Sequence, residues 1–228
     1  MSRRVVVLSA GLSTPSSTRL LADQIADAVR SAIGGRGESV AVETIELREL
    51  AVEMAQTLVS GNRPTPGVVA AQESIAGADG LVAVTPVFSA SYSGLFKTFV
   101  DLLDPKALVG MPVLVAATAG TARHSLMLDH AMRPLFGYLR AVVAPTGVFA
   151  ATEDFGAVDG AGEDALSARI HRAAEELAAL VVRTPSGVEG FAPTSGDERG
   201  RGQGRARAHE LGVVTDFASL LRGHDGTG

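Results

Sequence analysis

Hydroxyl side chains crowd the segment that joins the first predicted strand to the first predicted helix. They are Ser9, Ser13, Thr14, Ser16, Ser17 and Thr18. The first backbone N–H groups of a helix have no partner in a preceding turn, and the helix dipole favours an anion there. Hydroxyl donors beside such amides are typical of a phosphate site, which is our functional prediction for this loop. A Ser/Thr-rich turn with ordinary helix capping is the alternative.

Two common phosphate-binding patterns do not occur in this loop. It has neither the G-x-G-x-x-G pattern of dinucleotide pyrophosphate sites nor the G-x-x-x-x-G-K-[ST] pattern of nucleoside triphosphate sites. A single phosphate group fits the loop better than either of these ligands. FMN is a monophosphate cofactor of doubly wound five-stranded parallel sheets, which is the fold that the strand and helix pattern of this chain predicts. The sequence therefore predicts FMN as the cofactor.

Two later segments combine flat apolar surface, hydroxyls and small residues in the same position, directly after a predicted strand. The candidate ring-binding residues of the first segment are Pro86, Val87, Phe88, Ser89, Tyr92, Ser93 and Gly94. Those of the second are Thr118, Ala119, Gly120 and Thr121. An isoalloxazine ring needs an apolar wall together with backbone donors, and simple aromatic packing is the alternative for Phe88 and Tyr92. Three ligand-type loops after three strands predict one shared crevice.

The elements that position these loops alternate between short β-branched runs and longer amphipathic runs. Strands are predicted at Arg4–Ser9, Val40–Ile45, Leu81–Val84, Pro112–Ala117 and Val142–Phe149. Helices are predicted at Ser17–Ile33, 68–77, 94–104, 124–140 and 164–182. Five apolar strands, each followed by a helix, indicate a doubly wound α/β fold with a parallel sheet buried on both faces. Ligands of such folds bind beyond the C-terminal ends of the strands.

Composition narrows the function classes. The chain has 228 residues, with 20 basic and 25 acidic side chains, a net charge of −5 and no cysteine. This balance disfavours a nucleic-acid binder or a membrane-surface protein, and the lack of cysteine excludes thiolate chemistry. The first apolar run is too short for a signal peptide or a membrane span. We expect a cytoplasmic protein.

The composition changes near residue 185. The last 44 residues hold 10 of the 26 glycines and an Arg-rich run, so we predict a domain over 1–184 and a flexible tail over 185–228. Within the tail, apolar residues recur at helical spacing over 213–222, which is a candidate short docking helix. A frayed terminus is the alternative reading of that segment.

Two stretches carry a specific family resemblance. They are VTPVFSASYSGLFKTFVDLLDPKAL and AATAGTARHSLMLDHAMRPLFGYLRA. Their combined spacings resemble the NAD(P)H-dependent FMN reductases of two-component alkanesulfonate and methanesulfonate monooxygenase systems. The resemblance is stronger to a branch found alongside luciferase-like flavin monooxygenases, and it spans roughly residues 4–180.

This resemblance implies a flavodoxin-like fold with strand order 2-1-3-4-5. It implies FMN phosphate at Ser13–Thr18 and the ring against Pro86–Ser89, Tyr92–Gly94 and Thr118–Thr121. It also implies a one-residue π-bulge at His130, at the interface of a homodimer or homotetramer. A π-bulge often marks a functional site in a helix.

The predicted function is an enzyme that moves a hydride from NADPH or NADH to FMN and supplies reduced FMN to a luciferase-like monooxygenase. No classical catalytic side chain is nominated, because the cofactors carry the chemistry and the protein orients them. No metal site is predicted, since His124, Asp129 and His130 do not share a helix face. Arg19 and Lys97 are either solvated helix residues or phosphate contacts. The rival functions are an FMN-containing quinone or azo reductase and a flavodoxin-type electron carrier.

Overall fold

The architecture is a parallel sheet between two layers of helices. The structure is a computed structural model, and it describes residues 2–61, 63–155 and 161–182. The strands are β1 (Ser2–Ser9), β2 (Ser39–Glu46), β3 (Gly80–Phe88), β4 (Ser91–Tyr92), β5 (Pro112–Ala119), β6 (Val142–Val143) and β7 (Val148–Ala151). The helices are α1 (Ser17–Gly34), α2 (Ala51–Val59), α3 (Pro66–Ala76), α4 (Gly94–Leu102), α5 (Arg133–Tyr138) and α6 (Ala161–Val181). The predicted tail over 185–228, with its candidate helix, lies outside the described residues.

The sheet order is β2-β1-β3-β5-β6, with β7 also paired in parallel to β5. Counting β6 and β7 together as the fifth strand gives the predicted 2-1-3-4-5 order. Among the described strands, β4 alone runs antiparallel, as a short addition to β3. The doubly wound parallel sheet predicted from the sequence is thus confirmed.

Alternating side chains of the central strands feed two separate cores. Val5 and Val7 pack with α1 and α6, whereas Val6 and Leu8 pack with helices α2 to α5 on the opposite face. The apolar stripe of α1 is fully buried; its members are Leu21, Ile25, Val29 and Ile33. Burial on both faces explains why these strands read as nearly continuous apolar runs.

The fifth strand is interrupted, which the predicted run Val142–Phe149 did not anticipate. Pro145 has no backbone N–H to donate to a ladder, and the side chain of Arg133 donates to the carbonyls of Ala144 and Pro145. The backbone N–H of Thr146 donates to Glu176 on α6 at 2.6 Å. These side-chain partners replace the ladder bonds and divide the strand into β6 and β7.

Two helix predictions also need correction. The predicted helix over 124–140 is divided into a 3₁₀ turn (Ala122–His124), a π-helical turn (Leu128–Met132) and α5. Helix α2 was not predicted. It has only nine residues, fewer than the roughly 11 over which helical periodicity becomes evident in a sequence. No helix in the described ranges is long and apolar enough to span a membrane.

Candidate functional site

The three predicted loops leave the same edge of the sheet from neighbouring strands. Ser9 at the end of β1 is in register with Val84 of β3. Two residues further along β3, Pro86 is in register with Thr118 near the end of β5. Because parallel strands end at one edge, the loops after β1, β3 and β5 lie side by side. The sequence therefore identified three segments that the fold brings together.

The first loop turns sharply into α1. The hydroxyl of Ser16 caps this helix by accepting from the backbone N–H of Arg19 at 3.2 Å. Ser13 and Ser17 are exposed, so their hydroxyls are available to a ligand. Gly11 passes close to the cap: a Cβ atom at Gly11 would lie 2.1 Å from the Oγ of Ser16. Only glycine lets the backbone approach the capped turn this closely.

Two buried features lie beneath this loop. Within the described residues the hydroxyl of Ser9 has no hydrogen-bond partner, although the side chain is only 1% exposed. A hydrogen bond of 2.7 Å joins the hydroxyls of Thr18 and Thr118, which are 100 residues apart in the sequence. The first predicted loop is therefore bonded directly to the start of the third.

Replacing Thr18 or Thr118 singly with valine should destabilise the protein, because each change leaves one buried hydroxyl unpaired. We expect a loss of about 1–3 kcal/mol in the free energy of unfolding for each single variant. The double variant should lose clearly less than the sum, since it leaves neither hydroxyl behind. Urea denaturation of the four proteins without ligand measures this coupling. Strictly additive losses would show that the two hydroxyls do not interact in solution.

The second loop is a β-hairpin rather than an irregular segment. Phe88 pairs with Ser91 and Val87 with Tyr92. The two turn residues, Ser89 and Ala90, have φ angles of 49° and 63°. Positive φ at both central positions matches a two-residue type I′ turn, which usually contains asparagine or glycine. The ring of Phe88 stands 47% exposed beside this turn, where it provides flat apolar surface.

The base of the hairpin is fixed by buried hydroxyls. The hydroxyl of Thr85 accepts from the backbone N–H of Ser93 at 3.0 Å. The hydroxyl of Ser93 in turn caps α4 by accepting from the backbone N–H of Phe96 at 3.2 Å. Ser93 is only 1% exposed, so its side chain supports the hairpin instead of facing a ligand. Its neighbour Gly94 is exposed at the start of α4.

The third loop is open beyond its buried first residue. Thr118 is buried and bonded to Thr18, Ala119 is half-buried, and Gly120 and Thr121 are exposed. A Cβ atom built on Gly120 would meet no atom within 4 Å. The loop therefore leaves free space next to the hairpin, on the side where β3 and β5 are paired.

His130 lies within the π-helical turn Leu128–Met132. The backbone N–H of Arg133 donates to the carbonyl of Leu128, five residues back, which is the bond of a π-turn. The His130 side chain is exposed and lines a cavity of about 370 Å³ with Ala90 and Ser91 of the hairpin. The turn thus adjoins the second predicted loop; its place at a subunit interface stays a prediction.

Charged residues near the first loop form a network that no sequence motif indicates. Arg48, just after β2, donates to the carbonyl of Ser13 at 3.1 Å and to the hydroxyl of Thr14. Arg19 is paired with Asp23 and Glu46. The hydrogen bond with Asp23 raises the pKa of Arg19 above its ordinary value. No motif connects residue 48 to this loop, because parallel pairing of β1 and β2 alone brings it there.

Lys97 has a simpler environment. Its ammonium group lies 2.6 Å from a carboxylate oxygen of Asp101, one turn further along α4. The hydrogen bond with Asp101 raises the pKa of Lys97. The pair is a surface pair at helical spacing, so the solvated reading of Lys97 is the one its contacts favour.

The fold is that of a flavodoxin-like α/β protein. Its parallel sheet, its strand order and the loops at its strand ends are the defining features. The sequence profile described as NADPH-dependent FMN reductase matches residues 3–156. The chain therefore belongs to the NADPH-dependent FMN reductase family and is a flavin oxidoreductase that uses FMN and a reduced nicotinamide. This confirms the predicted fold, enzyme class and cofactors.

Individual relatives agree with this assignment. The chain is 39% identical over 179 residues to "FMN reductase (NADPH)" of Pseudomonas aeruginosa, covering 78% of this chain and 91% of the relative. It is 40% identical over 182 residues to "NADH-dependent FMN reductase SfnF" of Pseudomonas fluorescens, covering 79% and 94%. A solved structure of an oxidoreductase from Corynebacterium diphtheriae has 54% identity and a TM-score of 0.76, covering 80% of this chain and 98% of that one.

The residues at the strand ends are suited to FMN. The buried hydroxyl of Ser9 has no partner among the described residues. Gly11 passes close to Ser16 and Thr18 at the N-terminus of α1, where backbone amides and hydroxyls can bind a phosphate. The exposed Phe88 offers a ring an apolar wall. Two larger cavities in the described part of the chain, of about 580 and 700 Å³, are lined mainly by helices. Neither cavity is lined by a residue of the loops after β1, β3 and β5, so we place the candidate site at those three loops.

Proposed function

We propose that the protein binds FMN at the three strand-end loops, reduces it with NADPH or NADH, and releases the reduced flavin to a luciferase-like monooxygenase. The convergence of the loops after β1, β3 and β5, joined by the Thr18–Thr118 hydrogen bond, is the observation that carries this proposal. Exposed Ser13, Ser17 and Phe88 support an open site, which suits a flavin that must leave.

Each loop has a distinct proposed role. The hydroxyls of the first loop and the first amides of α1 bind the phosphate; they belong to Ser9, Ser13, Ser16, Ser17 and Thr18. The hairpin provides the wall and the backbone donors for the ring through Pro86–Ser89 and Tyr92–Gly94, with Ser93 acting through the helix cap. The loop Thr118–Thr121 approaches the same ring from β5. These assignments follow from the position of the three loops at one edge of the sheet.

Catalysis by this chain is then mainly positional. FMN, when bound, supplies the hydride acceptor, and the nicotinamide supplies the hydride. The residues of the hairpin and of Thr118–Thr121 hold the ring in place, and backbone amides in these loops stabilise negative charge on it. The nearest charged side chain on α4, Lys97, is paired with Asp101, so the proposal requires no side-chain acid or base.

We further propose that the protein is a homodimer or homotetramer with the π-helical turn at a subunit contact. Leu126, before the turn, is 62% exposed and Tyr138, at the end of α5, is 82% exposed. Exposed large apolar side chains next to a π-turn fit a surface that a second subunit covers. His130, exposed between them in the sequence, would belong to this contact.

A steady-state assay with free FMN tests the proposed function. We expect purified protein to lose flavin on dialysis and to oxidise NADPH or NADH at a rate that rises and saturates with added FMN. Reduced FMN released by the protein should support turnover of a luciferase-like monooxygenase in the same mixture. A protein that keeps stoichiometric flavin, ignores added FMN and reduces quinones rapidly would contradict the proposal.

A further inference from the structure

Arg48 lies on the short 3₁₀ turn Leu47–Leu50, outside every loop assigned to the flavin. Its guanidinium reaches the first loop from the side and donates through one nitrogen to the carbonyl of Ser13 and to the hydroxyl of Thr14. Its Nε lies 3.0 Å from a carboxylate oxygen of Glu46. One side chain therefore connects the end of β2 to the most exposed part of the phosphate loop.

Glu46, the last residue of β2, bonds on both sides. While one of its oxygens receives Arg48, the other receives Arg19 on the first turn of α1. Its carboxylate is 15% exposed and thus sits between two guanidinium groups, one at each end of the Ser13–Thr18 loop. Arg19 is also held by Asp23 at 2.9 Å. Carboxylates compensate both cations, so neither charge is free in the way an anion-binding arginine would be.

This arrangement favours holding the loop over direct contact with a phosphate. The loop is exposed at Ser13, Thr14 and Ser17, and it contains no buried apolar side chain between Leu12 and Ser17 that could fix it. A flexible loop must lose conformational entropy when it binds, and contacts that order it beforehand reduce that loss. Bonds from Arg48 to a carbonyl and a hydroxyl of the loop are contacts of this kind.

We propose that Arg48 and Glu46 are positioning residues that pre-order the Ser13–Thr18 loop for the flavin phosphate. The inference rests on the proposed phosphate role of that loop. Arg48 acts by bonding Ser13 and Thr14, and Glu46 acts by orienting Arg48 together with Arg19. Neither residue is required to touch the flavin or the nicotinamide.

The substitution Glu46→Gln separates this proposal from a purely electrostatic one. Removing a negative charge beside an anion site should tighten phosphate binding if charge alone mattered. Loss of the salt bridges that orient Arg48 and Arg19 should instead weaken it. The two mechanisms therefore predict opposite changes in the FMN affinity of Glu46→Gln.

Further variants isolate the individual bonds. Arg48→Gln removes both loop bonds, and Arg48→Lys keeps the charge but loses the planar group that bonds Glu46 and the loop together. Thr14→Val removes one acceptor of Arg48 without changing any charge. Arg30→Gln is the matched control, because it removes a cation from α1 whose partner is Asp27 on the same helix, about three turns from the loop.

Dissociation constants of FMN and riboflavin, from quenching of flavin fluorescence, give the readout. We expect the constant for FMN to rise about tenfold in Arg48→Gln and Glu46→Gln and about threefold in Thr14→Val, as for loss of partly exposed charge-assisted bonds. Riboflavin, which lacks the phosphate, should change by less than about twofold, and kcat at saturating FMN should be preserved, so that KM alone rises. Arg30→Gln should match the wild type.

Two results would overturn the inference. One is Glu46→Gln binding FMN as tightly as the wild type or more tightly. The other is Arg48→Lys retaining wild-type affinity, since a point charge would then suffice. A wild-type protein that does not prefer FMN over riboflavin would instead contradict the phosphate role of the loop itself, independently of the variants. Thermal unfolding of each variant identifies any affinity change that comes from loss of the fold.

Discussion

Replacing Gly11 with alanine should weaken FMN binding by about tenfold or more, because the helix cap and its hydrogen bond are lost where the phosphate is proposed to bind. The new methyl group would lie 2.1 Å from the Oγ of Ser16 and 3.2 Å from the Cβ atoms of Ser16 and Thr18. Rotation of the serine hydroxyl relieves only the first contact, so the turn itself must move. Titration of flavin fluorescence measures the effect.

Gly34→Ala is the matched control for this change. Gly34 is the last residue of α1, the helix that follows the Gly11 loop, and a Cβ atom there would meet nothing within 4 Å. We expect Gly34→Ala to bind FMN like the wild type and to be slightly more stable, since alanine favours a helix by up to about 1 kcal/mol over glycine. Riboflavin binding should suffer less than FMN binding in Gly11→Ala. Equal losses for both ligands would contradict a phosphate role for this turn.

Deleting His130 should change the oligomeric state and tighten flavin retention while leaving the fold intact. The backbone N–H of Arg133 already pairs with the carbonyl of Leu128. After the deletion these two groups are separated by four residues instead of five, so the same bond becomes that of a regular α-helix. The flanking residues keep their places, and only the outward bulge is lost. Size-exclusion chromatography and dialysis of the flavin-loaded protein measure the two outcomes.

His130→Ala is the appropriate comparison, because it removes the imidazole but keeps the extra residue. We expect it to retain the wild-type oligomer and to release FMN at nearly the wild-type rate. A deletion variant indistinguishable from the wild type in assembly, flavin retention and FMN turnover would show that the bulge has no role at a subunit contact. A deletion variant that no longer unfolds cooperatively would contradict the expectation that the helix closes.

The sequence was sufficient for the sheet and for the location of the three loops. Central strands buried on both faces, such as β1 and β5, give apolar runs with few other interpretations. Loops after such strands meet at one edge in any parallel sheet, so their convergence followed from topology. The family resemblance then identified the cofactor more sharply than the hydroxyls alone did.

Features that depend on contacts between distant segments were not predictable. The Ser89–Ala90 turn has none of the usual Asn-Gly signals, because strand pairing between Phe88 and Ser91 imposes its positive φ angles. The break in the fifth strand needs Arg133 from another element as well as Pro145. Arg48 carries no motif, and its distance of more than thirty residues from Ser13 along the chain conceals its contact with the loop.

The break between β6 and β7 also connects two helical segments on opposite faces of the sheet. Arg133, which directly follows the π-helical turn, donates to the carbonyls of Ala144 and Pro145, and Glu176 of α6 accepts from Thr146. A continuous strand would have satisfied these backbone groups within the sheet and isolated the two helices from each other. A shift of the π-helical turn would therefore move Ala144 and Pro145, and the next residue, Thr146, is bonded to Glu176 of α6. Hydrogen bonds thus connect the surface around His130, through residues 144–146, to the helix on the opposite face of the sheet.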